Sequence, residues 1–376
     1  MPPAQCCLQQ FGRYRLVEAR ARGIADPVKR LAYLRGAVRV DAPARGSSRR
    51  VGAIVATVAA CFQGSNSPAR QPRRIETPSR VEAASPALKQ ISSVWVVERA
   101  AGYDLYSNGL RVENDLSVAN TPRRYSLISR EHPESIGPER SLPAGIVFHT
   151  TESRLAPFEE GQNGNLRHIG KELLLYVRHK RAYHYVIDRF GCVHGIVAES
   201  DAANHAGHSA WADGDWLYVG LNESFLGVAF EAQTGTGDPV NEAQIHAARV
   251  LVEMLCGKYN LREENLVTHA QVSLNPGNGR IGWHTDWGAR FPFVALGLPD
   301  NYLLANPLVR DLGFAYDDAY LAATGSELWN GLHSAEAQMR EAAGQRGLTE
   351  AQYRGVLRQR YRRLSGFRQW ESVEEN

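Results

Sequence analysis

Residues 145–152, Gly-Ile-Val-Phe-His-Thr-Thr-Glu, are the stretch that decides the fold of this 376-residue chain. Ile146, Val147 and Phe148 form a short apolar run, and the residues after it are polar. A short apolar run with polar flanks is typical of a buried strand. The stretch therefore predicts a core strand with His149 at its carboxyl end.

Predicted helices and strands alternate after this strand. A helix is predicted over 165–181, where five apolar residues recur at helical spacing: Leu166, Ile169, Leu173, Leu174 and Val177. Strands are predicted at 183–188, 193–197, 226–232 and 265–268. A second helix begins after Asn241, which forms a capping-box pattern with Gln244. This alternation predicts an α/β domain over 143–298, with a mixed central β-sheet flanked by helices.

Both flanks of this domain carry their own signals. Asn108-Gly109 between two alternating stretches predicts a β-hairpin within an N-terminal extension over 91–142. A helical tail is predicted over 307–370, where Thr349 and Gln352 form a second capping-box pattern. The arginines of its last helix are expected to form a solvated face.

Charge is divided unevenly along the chain. Residues 1–80 hold fifteen Lys and Arg against four Asp and Glu, a net charge of +11, so the remaining residues carry a net charge of −8. A mildly acidic body argues against a nucleic-acid-binding protein held by phosphate contacts.

The basic leader, 1–61, contains an export pattern. Arg49 and Arg50 precede an uncharged segment, 51–60, that ends in small residues before Cys61. This order predicts a signal peptide, and Val-Ala-Ala-Cys at its end resembles the lipobox of bacterial lipoproteins. We expect Cys61 to be lipidated. Because such a signal starts near residue one, residues 1 to about 45 are expected to lie outside the translated protein. The protein is then expected to be periplasmic or an outer-membrane lipoprotein.

The alternative for the leader is a small buried helix or a disordered segment. No apolar run reaches the length of a membrane-spanning helix, so contact with a membrane would come from the lipid anchor only. Residues 62–90, rich in Ser, Pro, Arg and Gln, are predicted to be a flexible linker.

Histidine is the residue type that points to chemistry. The chain has twelve, and His149 and His269 each follow a predicted strand, while His284 and Asp286 lie in a Gly-containing loop. Hydrolytic zinc sites take three nitrogen or oxygen ligands and leave one position for water. Two histidines and one aspartate from distant segments fit that requirement, although their spacing alone is weak evidence.

Five segments in order resemble the amidase-2 family, which includes muramoyl-alanine amidases, phage lysozyme-amidases and peptidoglycan recognition proteins. They are 145–151, 182–191, 205–207, 224–231 and 269–293. The resemblance covers about 143–298 and implies a zinc-dependent N-acetylmuramoyl-L-alanine amidase that acts on peptidoglycan or muropeptides.

Carried over by motif, the resemblance assigns His149, His269 and Asp286 as zinc ligands. Trp287 stands where the family usually has proline, and Asn275 to Gly279 looks like an insertion before the third ligand. His284 is therefore a competing candidate for that ligand.

The resemblance also divides the catalytic roles. One branch of the family has a glutamate where this chain has Ala229, and the other branch uses a tyrosine that matches Tyr183 and a cationic residue that matches His284. Glu231 shares the strand face of Ala229 and is the second choice for the missing carboxylate. His205 matches a motif at the cleft rim, where it is expected to contact substrate.

Two other functions stay open. A binding module could hold muropeptide without cleaving it, as some recognition proteins do when a ligand is lost, and a zinc-free scaffold would leave the histidine and aspartate set unused. The presence of Asp286 favours the enzyme. The sequence does not distinguish intact sacculus from soluble muropeptide as substrate, and it leaves the oligomeric state open.

Overall fold

The computed structural model describes residues 93–130, 132, 136–235, 240–287, 291–324 and 330–366. All of them belong to one compact unit, 80–376. The predicted leader, with Cys61, and the predicted linker lie outside the described residues. None of the described helices is long and apolar enough to cross a membrane.

The described residues form the following strands: β1 (Val96–Ala100), β2 (Tyr103–Tyr106), β3 (Arg111–Glu113), β4 (Tyr125–Ser129), β5 (Ile136–Arg140), β6 (Gly145–Thr150), β7 (Tyr185–Ile187), β8 (Val193–Gly195), β9 (Ala210–Ala212), β10 (Trp216–Val219), β11 (Phe225–Phe230) and β12 (Leu266–Thr268). They form the following helices: α1 (Asn163–Lys180), α2 (Leu221–Ser224), α3 (Glu242–Tyr259), α4 (His269–Val272), α5 (Pro307–Arg310), α6 (Asp318–Thr324), α7 (Asn330–Gln345) and α8 (Glu350–Gly366).

The central sheet has eight strands in the order β1-β2-β3-β8-β7-β11-β6-β12. Strands β7, β11, β6 and β12 run parallel, and β8 pairs antiparallel with β7. The predicted mixed α/β sheet is thus confirmed. Because parallel strands end at the same edge of a sheet, the segments after β6, β11 and β12 meet there.

Helices cover both faces of this sheet, as predicted. The five apolar residues that predicted α1 are its buried residues, and Leu173, Leu174 and Val177 pack with Ala229 of β11. Helix α3 begins with the expected capping box between Asn241 and Gln244 and packs on the opposite face. Local periodicity and capping therefore located both helices.

The predicted hairpin is present as β2 and β3, with Gly109 at a φ of +85° in the turn. Its strand β3 pairs in parallel with β8, so the hairpin and β1 continue the central sheet. The sequence did not predict the second sheet, ordered β5-β4-β10-β9. Strands of three to five residues carry little alternation from which to predict them.

The helical tail is also confirmed, but two of its arginines differ from the expected solvated face. Arg354 donates to the carbonyl of Phe314 at 2.9 Å, and Arg358 donates to the carbonyl of Asn278 at 3.0 Å. Asn278 lies in the insertion-like loop that precedes Asp286. The tail therefore packs against the loop that carries the third candidate ligand.

Candidate metal centre

His149 lies at the carboxyl end of β6, a strand whose six residues are all buried. It pairs in register with Ala229 of β11, which places the two side chains on the α1 face of the sheet. Only 1% of His149 is exposed. The buried strand predicted from 145–149 thus holds this imidazole within the protein.

His269 follows β12 directly and is the first residue of α4. Thr268 caps that short helix through a capping box with Gln271 and pairs with Phe148 in the sheet. His269 therefore emerges at the level of His149 on the neighbouring strand. The two rings meet with their centroids 4.5 Å apart.

Asp286 reaches the two histidines from the loop after α4. Its Oδ2 lies 3.1 Å from Nδ1 of His149, and its Oδ1 lies 3.0 Å from Nδ1 of His269. All three residues are buried, and their ligand atoms lie within 4.8 Å of one another. Tetrahedral ligands at zinc distances are separated by about 3.3–3.6 Å, so this spacing is close to what one shared ion requires.

The electrostatics of the three side chains suit a cation. Burial, and then the neighbouring His269, lower the pKa of His149 to about 4. Burial alone would raise the pKa of Asp286, but His269 and the short contacts that both histidines make with the carboxylate lower it far below its usual range. At neutral pH the group thus offers the neutral imidazole of His149 and the ionised carboxylate of Asp286, both of which are donors that zinc binds.

The insertion-like loop forms a turn that returns the chain to the site. Asn275 and Asn278 both donate to Asp317, at 3.0 and 3.2 Å, and Gly282 donates its N–H to the carbonyl of Ser273. The Ala270 N–H then donates to the Asp286 carbonyl at 2.8 Å. The insertion therefore does not displace Asp286 from His149 and His269.

His284, the competing candidate ligand, stacks on His269 with ring centroids 4.4 Å apart and an angle of 14° between the planes. Among the described residues, the group able to share a metal contains Asp286 and not His284. Burial, and then His269, lower the pKa of His284 to about 4. The lowered pKa favours a neutral imidazole at His284, whereas the family residue that it matches is cationic.

Tyr183 lies beside the group, with its ring centroid 5.0 Å from that of His149. Its backbone has a φ of 59°, in the left-handed region that non-glycine residues rarely adopt. Burial, and then the charge of Asp286, raise the pKa of Tyr183 well above its ordinary value. A neutral phenol at this position can donate a hydrogen bond to an atom bound near the three ligands.

The structure does not bring Glu231 to the group. Glu231 is buried, and its Oε2 accepts the Arg189 N–H at 3.2 Å. The same oxygen lies 3.7 Å from the place a Cβ would take at Gly170 of α1. Glu231 lies two residues beyond Ala229 and just past the end of β11, where its side chain lies under α1. The strand-face argument therefore did not place its carboxylate at the group.

His205 also differs from its expected place at the cleft rim. It is buried, with Nδ1 3.1 Å from Nε2 of His149 and Nε2 3.3 Å from the carbonyl of Phe225. Both ring nitrogens face protein atoms. His205 therefore supports His149 from behind and does not line a rim.

Sequence reasoning missed Arg123, a fully buried arginine that donates to the carbonyls of Glu199 and Glu223. Its Nη1 also lies 3.3 Å from the Phe225 carbonyl, the acceptor that His205 faces. Burial lowers the pKa of Arg123 to about 10. The polar segment around this residue gives no sequence signal of burial, since its partners, which are backbone carbonyls and Nε2 of His184 at 2.7 Å, are distant in the chain.

These features define a mixed α/β domain whose parallel strands end at a buried His-His-Asp group. Residues 139–288 match the family model described as N-acetylmuramoyl-L-alanine amidase, the amidase-2 family. The match spans the three candidate ligands and confirms the resemblance predicted from the sequence.

Several solved structures are similar to this chain. The amidase AmiD from E. coli, in complex with an anhydro-N-acetylmuramic acid peptide, has 22% identity and a TM-score of 0.32, and the match covers 42% of this chain and 57% of that one. AmpDh3 from Pseudomonas aeruginosa, in complex with anhydromuramic pentapeptide, has 20% identity, coverages of 58% and 73%, and a TM-score of 0.32. The drosophila peptidoglycan recognition protein SD has 20% identity, coverages of 41% and 79%, and a TM-score of 0.26.

The chain thus spans little more than half the length of the first of these structures. Among curated proteins, the comparison found no match.

Proposed function

We propose that this protein is a zinc-dependent N-acetylmuramoyl-L-alanine amidase, which hydrolyses the amide bond between N-acetylmuramic acid and L-alanine in peptidoglycan or muropeptides. The observation that carries the proposal is the convergence of His149, His269 and Asp286 within the segment that matches the amidase family. Three nitrogen and oxygen donors are the number that a hydrolytic zinc site uses.

A zinc ion bound there supplies Lewis acidity, which activates water and polarises the scissile carbonyl. The chain's own residues supply the rest. Asp286 stays ionised through the neutral pH range because its pKa is lowered, so it offsets part of a dication's charge. Tyr183, 5.0 Å from the His149 ring between centroids, orients the attacking water or donates to the carbonyl oxygen.

His284 is another polar side chain beside the group. Its ring stacks on His269, which fixes its plane. As a neutral imidazole it has one N–H and one lone pair, so it can move a proton towards the leaving amine of L-alanine. Glu231 is left with a structural role because its carboxylate is engaged at Arg189.

The purified full chain tests this proposal through zinc content and reaction products together. We expect about one zinc per chain and the release of stem peptides that begin with L-alanine from purified muropeptides. Chelation should remove the zinc and abolish peptide release, and adding zinc should restore both. His149→Ala is the matched negative control. Muropeptide binding without peptide release would instead support the binding module.

We also propose that the protein is exported and anchored by lipid at Cys61. Support comes from the order Arg49-Arg50, an apolar decapeptide and Val-Ala-Ala-Cys. Lipoproteins carry several acyl chains, which bind a bilayer far more stably than one chain. Mass spectrometry of the protein from cells should find a lipidated N-terminus at Cys61. An unmodified N-terminus upstream of it would overturn this proposal and leave the amidase proposal intact.

A further inference from the structure

The second nitrogen of His149 faces away from the candidate metal position. Nδ1 of this imidazole lies 3.1 Å from Asp286, whereas Nε2 lies 3.1 Å from Nδ1 of His205. His205 in turn places its own Nε2 3.3 Å from the Phe225 carbonyl oxygen. A chain of two imidazoles thus connects the first candidate ligand to a backbone acceptor.

The carbonyl at the end of this chain sets the positions of the protons. A carbonyl oxygen only accepts hydrogen bonds, and a neutral imidazole carries one N–H and one lone pair. His205 must therefore hold its proton on Nε2 and present the lone pair of Nδ1 to His149. His149 must then donate from Nε2, which leaves its lone pair on Nδ1, towards Asp286.

Two local features hold the His205 ring in place. The side-chain oxygen of Asn222 accepts a hydrogen bond from the backbone N–H of His205 at 3.0 Å, which fixes the backbone that carries the ring. Gly227 on β11 lies against the ring, and a Cβ there would lie 2.6 Å from Cγ of His205. The three atoms nearest to that Cβ all belong to His205, so glycine at this position gives the ring its space.

This proton arrangement brings the lone pair on Nδ1 of His149 to 3.1 Å from Oδ2 of Asp286, with no imidazole proton between the two atoms. Two acceptors at that distance repel unless a cation lies between them. We infer that His205 is a positioning residue, which fixes His149 in the tautomer that binds a metal through Nδ1. The inference rests on the proposed metal centre.

The test uses His205→Leu, which removes the acceptor, and His205→Asn, whose side-chain oxygen lies near the former Nδ1. Loss of a hydrogen-bond partner behind a metal-binding histidine typically lowers the affinity for the metal about 10- to 100-fold. We expect a loss of this size for His205→Leu. His205→Asn should retain most of the affinity. Zinc affinity is measured by competition with a chelator, on proteins whose folding is checked by circular dichroism.

A second readout needs no metal. Nitrogen-15 NMR of the zinc-free protein distinguishes the two tautomers of His149. We expect the proton on Nε2 in the wild type and, in His205→Leu, on Nδ1, where Asp286 can accept it. A wild-type His149 protonated on Nδ1 would overturn the inference even if the protein binds zinc.

Gly227→Ala adds an independent perturbation of the same ring. Because the new methyl group would displace His205, this variant alone should weaken zinc binding. In a His205→Ala background the methyl group has space, so Gly227→Ala should weaken it little further. Additive losses in the two backgrounds would mean that Gly227 acts on the strand and not through His205.

The two proposals fail in different ways. If the zinc-free wild-type protein cannot be loaded with zinc, the amidase proposal is wrong. The tautomer of His149 measured by NMR still decides the role of His205 in that case. Equal zinc affinity in the wild type and His205→Leu, with an unchanged tautomer, overturns the inference and leaves the amidase proposal standing.

Discussion

Replacing Asp286 with asparagine tests the candidate metal centre most sharply, because it removes one charge and preserves the shape of the side chain. The carboxylate lies 3.0–3.3 Å from the Nδ1 atoms of His149 and His269 and is held ionised by them. The binding of zinc by four protein ligands has a favourable free energy of about 10–16 kcal/mol, so one ligand contributes about 2.5–4 kcal/mol of that binding free energy. We therefore expect Asp286→Asn to weaken zinc binding about 100- to 1000-fold.

Chelator competition measures this loss, and muropeptide turnover at saturating zinc shows whether the weakened site still works. Asp213→Asn is the matched control, since Asp213 is another buried aspartate, hydrogen-bonded to Tyr218 and Asn265. It should lower thermal stability and leave zinc affinity near wild type. If Asp286→Asn binds zinc normally and His284→Ala loses it, the third ligand has been assigned to the wrong residue.

Three further predictions concern the surroundings of the site. His284→Ala should lower turnover about 100-fold or more with zinc retained, as loss of a general acid–base group does, whereas Glu231→Gln should do much less; kinetics and metal content on the same samples decide. Gly282→Ala should lower the Tm more than Gly297→Ala, because both have positive φ but only the first would place a Cβ 2.3 Å from a buried tyrosine ring. Burial lowers the pKa of His184 to about 3 from an ordinary value of 6.5. As pH falls, His184 therefore becomes protonated in the unfolded chain at a higher pH than in the folded protein. Zinc-free protein should consequently lose stability as pH falls below about 6.5. Unfolding of the wild type and His184→Gln at pH 7.5 and pH 5 checks this, and an equal pH dependence in both would refute it.

The sequence by itself determined the elements whose signals are local. The apolar spacing of α1, the capping boxes of α3 and α8 and the Asn-Gly turn between β2 and β3 each lie within a few residues of the element they specify. The apolar run that ends at His149 likewise predicted β6. Family resemblance supplied the three candidate ligands, because spacing along the chain does not show which strand ends meet.

Tertiary structure alone decided which polar side chains share a site. His149 and His269 are 120 positions apart in the numbering, and they meet because β6 and β12 are parallel neighbours. Glu231 and His205 matched plausible positions in the sequence. In the structure the first lies past the end of β11 and under α1, and the second lies behind His149. Hydrogen bonds to distant backbone carbonyls, such as those of Arg123 and His205, have no sequence signal, because every residue carries the acceptor and only the fold selects which one is near.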